Sequence, residues 1–63
     1  MTTLIEARKR LGLTQEDAAE KLEISRFTLI NYENGITFPN IPILKRIEKI
    51  YGVEYKDIDF FPK

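Results

Sequence analysis

The chain contains no cysteine and no histidine. The first absence excludes disulfide staples and thiolate chemistry, and the two together remove the commonest zinc ligands, so stability has to come from packing alone. Ser25 is the only serine, and without an imidazole it cannot enter a nucleophilic triad. The three glycines form no phosphate loop. Acidic residues fall on helical positions without the clustered spacing of a catalytic dyad or a metal site, so neither an enzyme nor a cofactor is expected. An excess of charge is missing too. Ten basic and ten acidic residues cancel, whereas phosphate binding normally draws on surplus lysine and arginine. No apolar run approaches a bilayer span, and the first residues lack the basic-then-apolar layout of a signal peptide. A cytoplasmic chain with no membrane partner is the expectation.

What remains is the balance of a folded domain. With 63 residues, 43% hydrophobic and 32% charged, the chain has material for one compact domain over 1–63 and no second core. Gly12, Gly35 and Gly52 each follow an apolar-periodic segment, where a helix end needs a residue tolerant of left-handed backbone angles. Start signals lie between them: Thr3 with Glu6, Thr14 with Asp17, then Ser25 and Asn40 alone. Pro42 falls in the first turn after Asn40, where a missing N–H costs little. Leu4, Arg8 and Leu11 share one helical face, as do Ala18, Ala19 and Leu22, and then Leu44, Ile47 and Tyr51. A weaker element runs over 55–59 with Ile58 inward, followed by the tail Phe60-Phe61-Pro62-Lys63. These limits predict an all-α bundle of about five short helices and no strand.

The informative stretch is 15–35, two helices separated only by Glu23-Ile24-Ser25. So short a bend forces a steep crossing, with Ala19 as the small residue at the contact and Ile24, Leu29 and Tyr32 as the apolar wedge. The outer side of the second helix then presents Arg26, Phe27, Thr28 and Asn31, with Ile30 nearer its edge. Forked donors, an amide and a hydroxyl are the groups that reach base edges.

Leu13-Thr14-Gln15-Glu16, Ala19, Leu22, Ile24-Ser25 and Glu33-Asn34-Gly35 resemble the Cro/repressor, or XRE, family of helix-turn-helix proteins. Pro39-Asn40, Leu44, Ile47 and Tyr51-Gly52-Val53 look like that family's fourth helix and its exit, so the resemblance spans nearly the whole chain. It implies a lambda repressor-like fold and a sequence-specific transcriptional regulator, a repressor by preference, that lays helix 26–33 in the major groove of a double-stranded DNA operator. The DNA-facing set it implies is Gln15, Ser25, Arg26, Phe27, Thr28, Asn31, Thr37 and Asn40. In that set Gln15 meets phosphate, while Arg26, Phe27, Thr28 and Asn31 face bases. Thr37 and the amides after Asn40 hold the flanking phosphate at the positive end of a helix dipole. It also implies a structural pair between Arg8 and Glu33. Two departures stand out: Glu23 where the family has glycine at the left-handed position, and Ala18 where it has leucine, with Phe38 as the candidate to fill the gap.

Phe27 and Ile30 leave two functions open, since an apolar pair at helical spacing suits thymine methyl groups or another protein. The rival to DNA binding is a module of the same fold that binds another regulator or a toxin. Arg8-Lys9-Arg10 and Lys45-Arg46 read as solvated helix surface rather than contacts. A homodimer is expected, with apolar residues in excess of core needs at 36–38, Ile41 and Phe60-Phe61 as its face.

Overall fold

Thr3 opens the first helix, and it does so with a complete capping box. Its hydroxyl accepts the Glu6 N–H at 3.1 Å, and the Glu6 carboxylate accepts the Thr3 N–H at 2.9 Å. That carboxylate is held below the usual glutamate range, first by the Thr3 backbone hydrogen bond. The computed structural model describes residues 1–61; Pro62 and Lys63 of the expected tail lie outside the described residues. Within these, α1 spans Leu4–Arg10, α2 Gln15–Leu22, α3 Arg26–Glu33 and α4 Ile41–Tyr51. The other three helices also start on the expected oxygens: Thr14 accepts the Asp17 N–H, Ser25 the Thr28 N–H and Asn40 the Ile43 N–H, at 3.0–3.1 Å. Each such cap contributes about 1 kcal/mol.

The helix ends follow one scheme. After α1, α2 and α3 the chain turns through a left-handed residue, and the next N–H reaches back across the last turn. Leu13 donates to the Arg8 carbonyl at 3.3 Å, Ile24 to that of Ala19 at 3.0 Å and Ile36 to that of Asn31 at 2.9 Å. The left-handed positions after α1 and α3 are glycines, but after α2 it is Glu23, at φ 60°. A side chain there costs on the order of 1 kcal/mol, and Glu23 is the only non-glycine with positive φ among the described residues.

The core is built from one stripe of each helix: Leu4 and Ala7, Ala18, Ala19 and Leu22, Leu29 and Tyr32, Ile47 and Tyr51, closed by Ile58. Leu13, Ile24, Ile43, Ile50, Val53 and Phe60 pack around it. Three expectations need correction. Leu11 is not buried with Leu4 and Arg8: it is the cap that follows α1, still in right-handed helical conformation, and is 48% exposed. Phe38 does not fill the space beside Ala18. It lies at the surface, edge-on to Phe60 and Phe61 with ring centroids 6.3 and 4.8 Å apart, and Ala18 is fully buried without it.

The third correction concerns the chain ends. The element after α4 is a 3₁₀ turn over Tyr55–Asp57, not a fifth α-helix, and it leads into a strand that was not expected. Strand β1 (Thr2–Thr3) pairs in parallel with β2 (Ile58–Asp59), Thr2 opposite Ile58 and Thr3 opposite Asp59. Two residues per strand are too few for alternation to show. Thr3 belongs to both devices, since the extended backbone of a helix cap is also that of a strand.

Candidate nucleic-acid interface

Helix α3 turns Leu29, Tyr32 and Glu33 into the core. Helical period then leaves Arg26 and Phe27 fully outward, with Thr28, Ile30 and Asn31 half-buried along the flanks. Phe27 is 80% exposed, an unusual outlay of apolar surface on a helix of eight residues. The Arg26 guanidinium and the Asn31 amide make no hydrogen bond or ion pair among the described residues, so both keep their donors for an incoming group. Ser25 and Thr28 share a hydroxyl contact of 2.8 Å beside the cap. No acidic residue lies in the first turn of α3. Its free N–H groups and Arg26 therefore make one continuous positive end, which offsets the zero net charge locally.

The expected backbone contacts are placed less simply. Gln15 is half-buried at the start of α2, and its amide donates one N–H to Glu33 Oε1 at 3.0 Å. One amide hydrogen remains. The first turn of α2 also carries Glu16 and Asp17, which suit the helix dipole and repel phosphate. Thr37 is exposed, and its N–H lies 3.5 Å from the Asn31 carbonyl. At the start of α4, Pro42 has no N–H and the Ile43 N–H is taken by Asn40. Of the amides expected to hold phosphate there, only that of Ile41 and the Asn40 side-chain NH₂ remain unengaged among the described residues.

Behind α3 lies a buried polar cluster that locks its far end. Arg8 Nε donates to Glu33 Oε2 at 2.7 Å, with side-chain exposures of 10% and 2%. Arg8 Nη1 donates to the Leu13 carbonyl at 2.9 Å. With Gln15 on Oε1, both carboxylate oxygens of Glu33 are satisfied. The expected Arg8–Glu33 pair is thus present, and Arg8 is not part of a solvated basic surface as its neighbours Lys9 and Arg10 are. Sequence reasoning missed the Gln15 and Leu13 members, for which separation along the chain offers no local signal. Tyr51 completes the surroundings. Its hydroxyl is buried without a partner among the described residues, and its pKa is pushed up to about 12, by burial first and then by the Glu33 charge, with Arg8 acting in the opposite sense.

A chain of four capped helices, whose second and third are joined by three residues and whose third shows its polar edge to solvent, has the architecture of a helix-turn-helix protein. A family model described as Helix-turn-helix matches residues 4–58, and the chain belongs to this Cro/repressor-type family. It is 45% identical over 56 residues to an HTH-type transcriptional regulator of Methanothermobacter thermautotrophicus, covering 87% of this chain and 81% of the relative. It is 46% identical over 47 residues to one of Methanocaldococcus jannaschii, covering 75% and 71%. The HTH-type transcriptional regulator ImmR of Bacillus subtilis is 42% identical over 50 residues, 79% of this chain but only 39% of its own length. No helix among the described residues is long and apolar enough to cross a membrane.

Proposed function

We propose that this chain is a sequence-specific DNA-binding transcriptional regulator that acts as a cytoplasmic repressor, inserting α3 into the major groove of a short operator. Arg26, Phe27, Thr28 and Asn31 face base edges. Gln15, Ser25, Thr37 and Asn40 hold the phosphates on either side. A two-fold dimer places two such helices on half-sites one turn of the duplex apart. The observation that carries this reading is the unengaged polar edge of α3, Arg26 and Asn31, at a helix end free of acidic residues. Membership of the family and the names of its regulator relatives support it.

One observation favours the rival reading: Phe27 is 80% exposed beside half-buried Ile30 on a chain of zero net charge, which suits a protein partner such as another regulator or a toxin. A titration with random-sequence duplex at low salt separates the two. A DNA binder retains affinity that falls steeply as salt rises, because bound phosphates release counterions. Absence of binding even at low salt would overturn the DNA reading and leave the protein-interaction module.

A further inference from the structure

We propose that the groove between the exit of α1 and the last turns of α2 and α4 is a docking site for a segment of a partner protein that carries carboxylates around aliphatic side chains. Leu11, Leu13, Lys21, Lys49 and Ile50 line this groove, which measures about 400 Å³ and is open to solvent. No residue of α3 is among them, so the site is independent of whether α3 meets DNA or another protein. Its apolar part is the 48% exposed Leu11, with Leu13 and Ile50 half-buried against the core. The wall is preformed. Leu13 donates its N–H to the Arg8 carbonyl at 3.3 Å and accepts from Arg8 Nη1 at 2.9 Å, so the buried ion pair of Arg8 also pins the segment that carries both leucines. A ligand that meets such a wall spends little on ordering it.

The charges select the occupant. Lys21 and Lys49 are both exposed, and neither makes an ion pair among the described residues. The carboxylates closest to them in sequence leave them free. Asp17, one turn ahead of Lys21, forms no ion pair with it, and Glu48 beside Lys49 accepts the Tyr55 N–H at 2.9 Å and lines a separate groove with Ile41 and Leu44. On a chain whose charges cancel, five lining residues with two ammonium groups and no carboxylate are a local excess of one sign. Lysine stems cover apolar surface while their ammonium groups stay in water, so both lysines offer a charge that a ligand reaches from outside. A phosphate backbone would satisfy the lysines and leave three aliphatic side chains against polar atoms. A bilayer takes up apolar residues that protrude, and these line a concavity. A small molecule in so open a groove would keep much of its surface in water, unlike ligands of closed pockets. A peptide segment meets every demand: its aliphatic side chains fill the groove, and its flanking carboxylates pair with Lys21 and Lys49.

The test is selection from a random peptide library on the immobilised full chain, followed by titration of one enriched synthetic peptide into the labelled protein. Enriched sequences are expected to carry aspartate or glutamate on both sides of aliphatic residues, and the peptide is expected to shift the amide resonances of Leu11, Leu13, Lys21, Lys49 and Ile50. The double reversal Lys21→Glu/Lys49→Glu should weaken binding about tenfold or more, and a peptide with its carboxylates exchanged for lysines should bind the reversed protein to within about threefold of the original pair. Thermal melts show that the variant is folded, and binding regained by the exchanged peptide is a result that damage to the fold does not produce. No enrichment, enriched peptides without acidic residues, or binding indifferent to the reversal overturns the proposal. The same titration with vesicles of phosphatidylglycerol and with random-sequence duplex tests the other occupants. If either shifts these five residues in a lysine-dependent way while no peptide does, the groove belongs to a lipid surface or to phosphate, and the peptide site is refuted.

Discussion

Replacing Glu33 with alanine removes one carboxylate and strands two groups at once. Arg8 loses its 2.7 Å partner inside the protein, the Gln15 amide loses its acceptor, and a cavity opens where the side chain was 2% exposed. Breaking a buried pair from one side costs about 3–5 kcal/mol, because the remaining charge is left without compensation. A domain of this length holds only roughly 3–9 kcal/mol of stability. A loss of about 3 kcal/mol lowers the melting midpoint by roughly 12–24 °C, so the variant is expected to be largely unfolded near body temperature. Circular dichroism melts and a urea titration with unchanged slope measure this directly. The companion variant Arg8→Met/Glu33→Leu removes both charges and is expected to recover most of the loss, since an apolar pair of similar volume replaces a buried ion pair at little cost. A Glu33→Ala melt that superimposes on wild type would refute the structural role given to this pair.

Tyr51→Phe removes a buried hydroxyl that has no partner and is expected to raise stability by about 1 kcal/mol in the same melts. Because folding raises the Tyr51 pKa from 10.0 to about 12, the stability linked to it is intact below pH 10 and is lost as the pH climbs toward 12; the phenylalanine variant should not show that alkaline loss. Glu23→Gly relieves a left-handed backbone at φ 60° and is expected to add about 0.5–1 kcal/mol, less the entropy glycine loses on folding; a destabilised variant would show that the exposed Glu23–Arg46 contact matters more than the strain. Arg26→Ala should relax preference at one base position by about 1–3 kcal/mol, whereas Gln15→Ala should weaken binding to all sequences alike. Gln15→Ala should also lower the melting temperature, through the lost Glu33 hydrogen bond, so equal losses for both variants at every base position would contradict the roles proposed.

Local chemistry made the helices legible. Thr3, Thr14, Ser25 and Asn40 all start helices as their side chains require, and the glycines at 12, 35 and 52 all adopt positive φ. The exposure of Arg26 and Phe27 followed from the period that buries Leu29 and Tyr32. What stayed hidden is non-local. Leu11 fits the stripe of α1 on paper, but it is the cap beyond the helix end and the packed core does not reach it. Phe38 had the size to sit beside Ala18, yet only the position of the chain's far end determined that it would meet Phe60 and Phe61 instead. The Gln15–Glu33 hydrogen bond and the pairing of residues 2–3 with 58–59 join segments that nothing in either one connects to the other.

The short parallel ribbon at the two ends acts as a clasp. Because it joins Thr2 to Ile58 and Thr3 to Asp59, this pairing closes a loop that holds all four helices, and such a contact is expected to form late in folding. Ile58, on the second of these strands, is part of the interior. A protease that trimmed the chain just ahead of Leu4 would therefore do more than shorten it: α1 would lose its cap, the far end would lose its fastening, and an interior side chain would be returned to water in one cut.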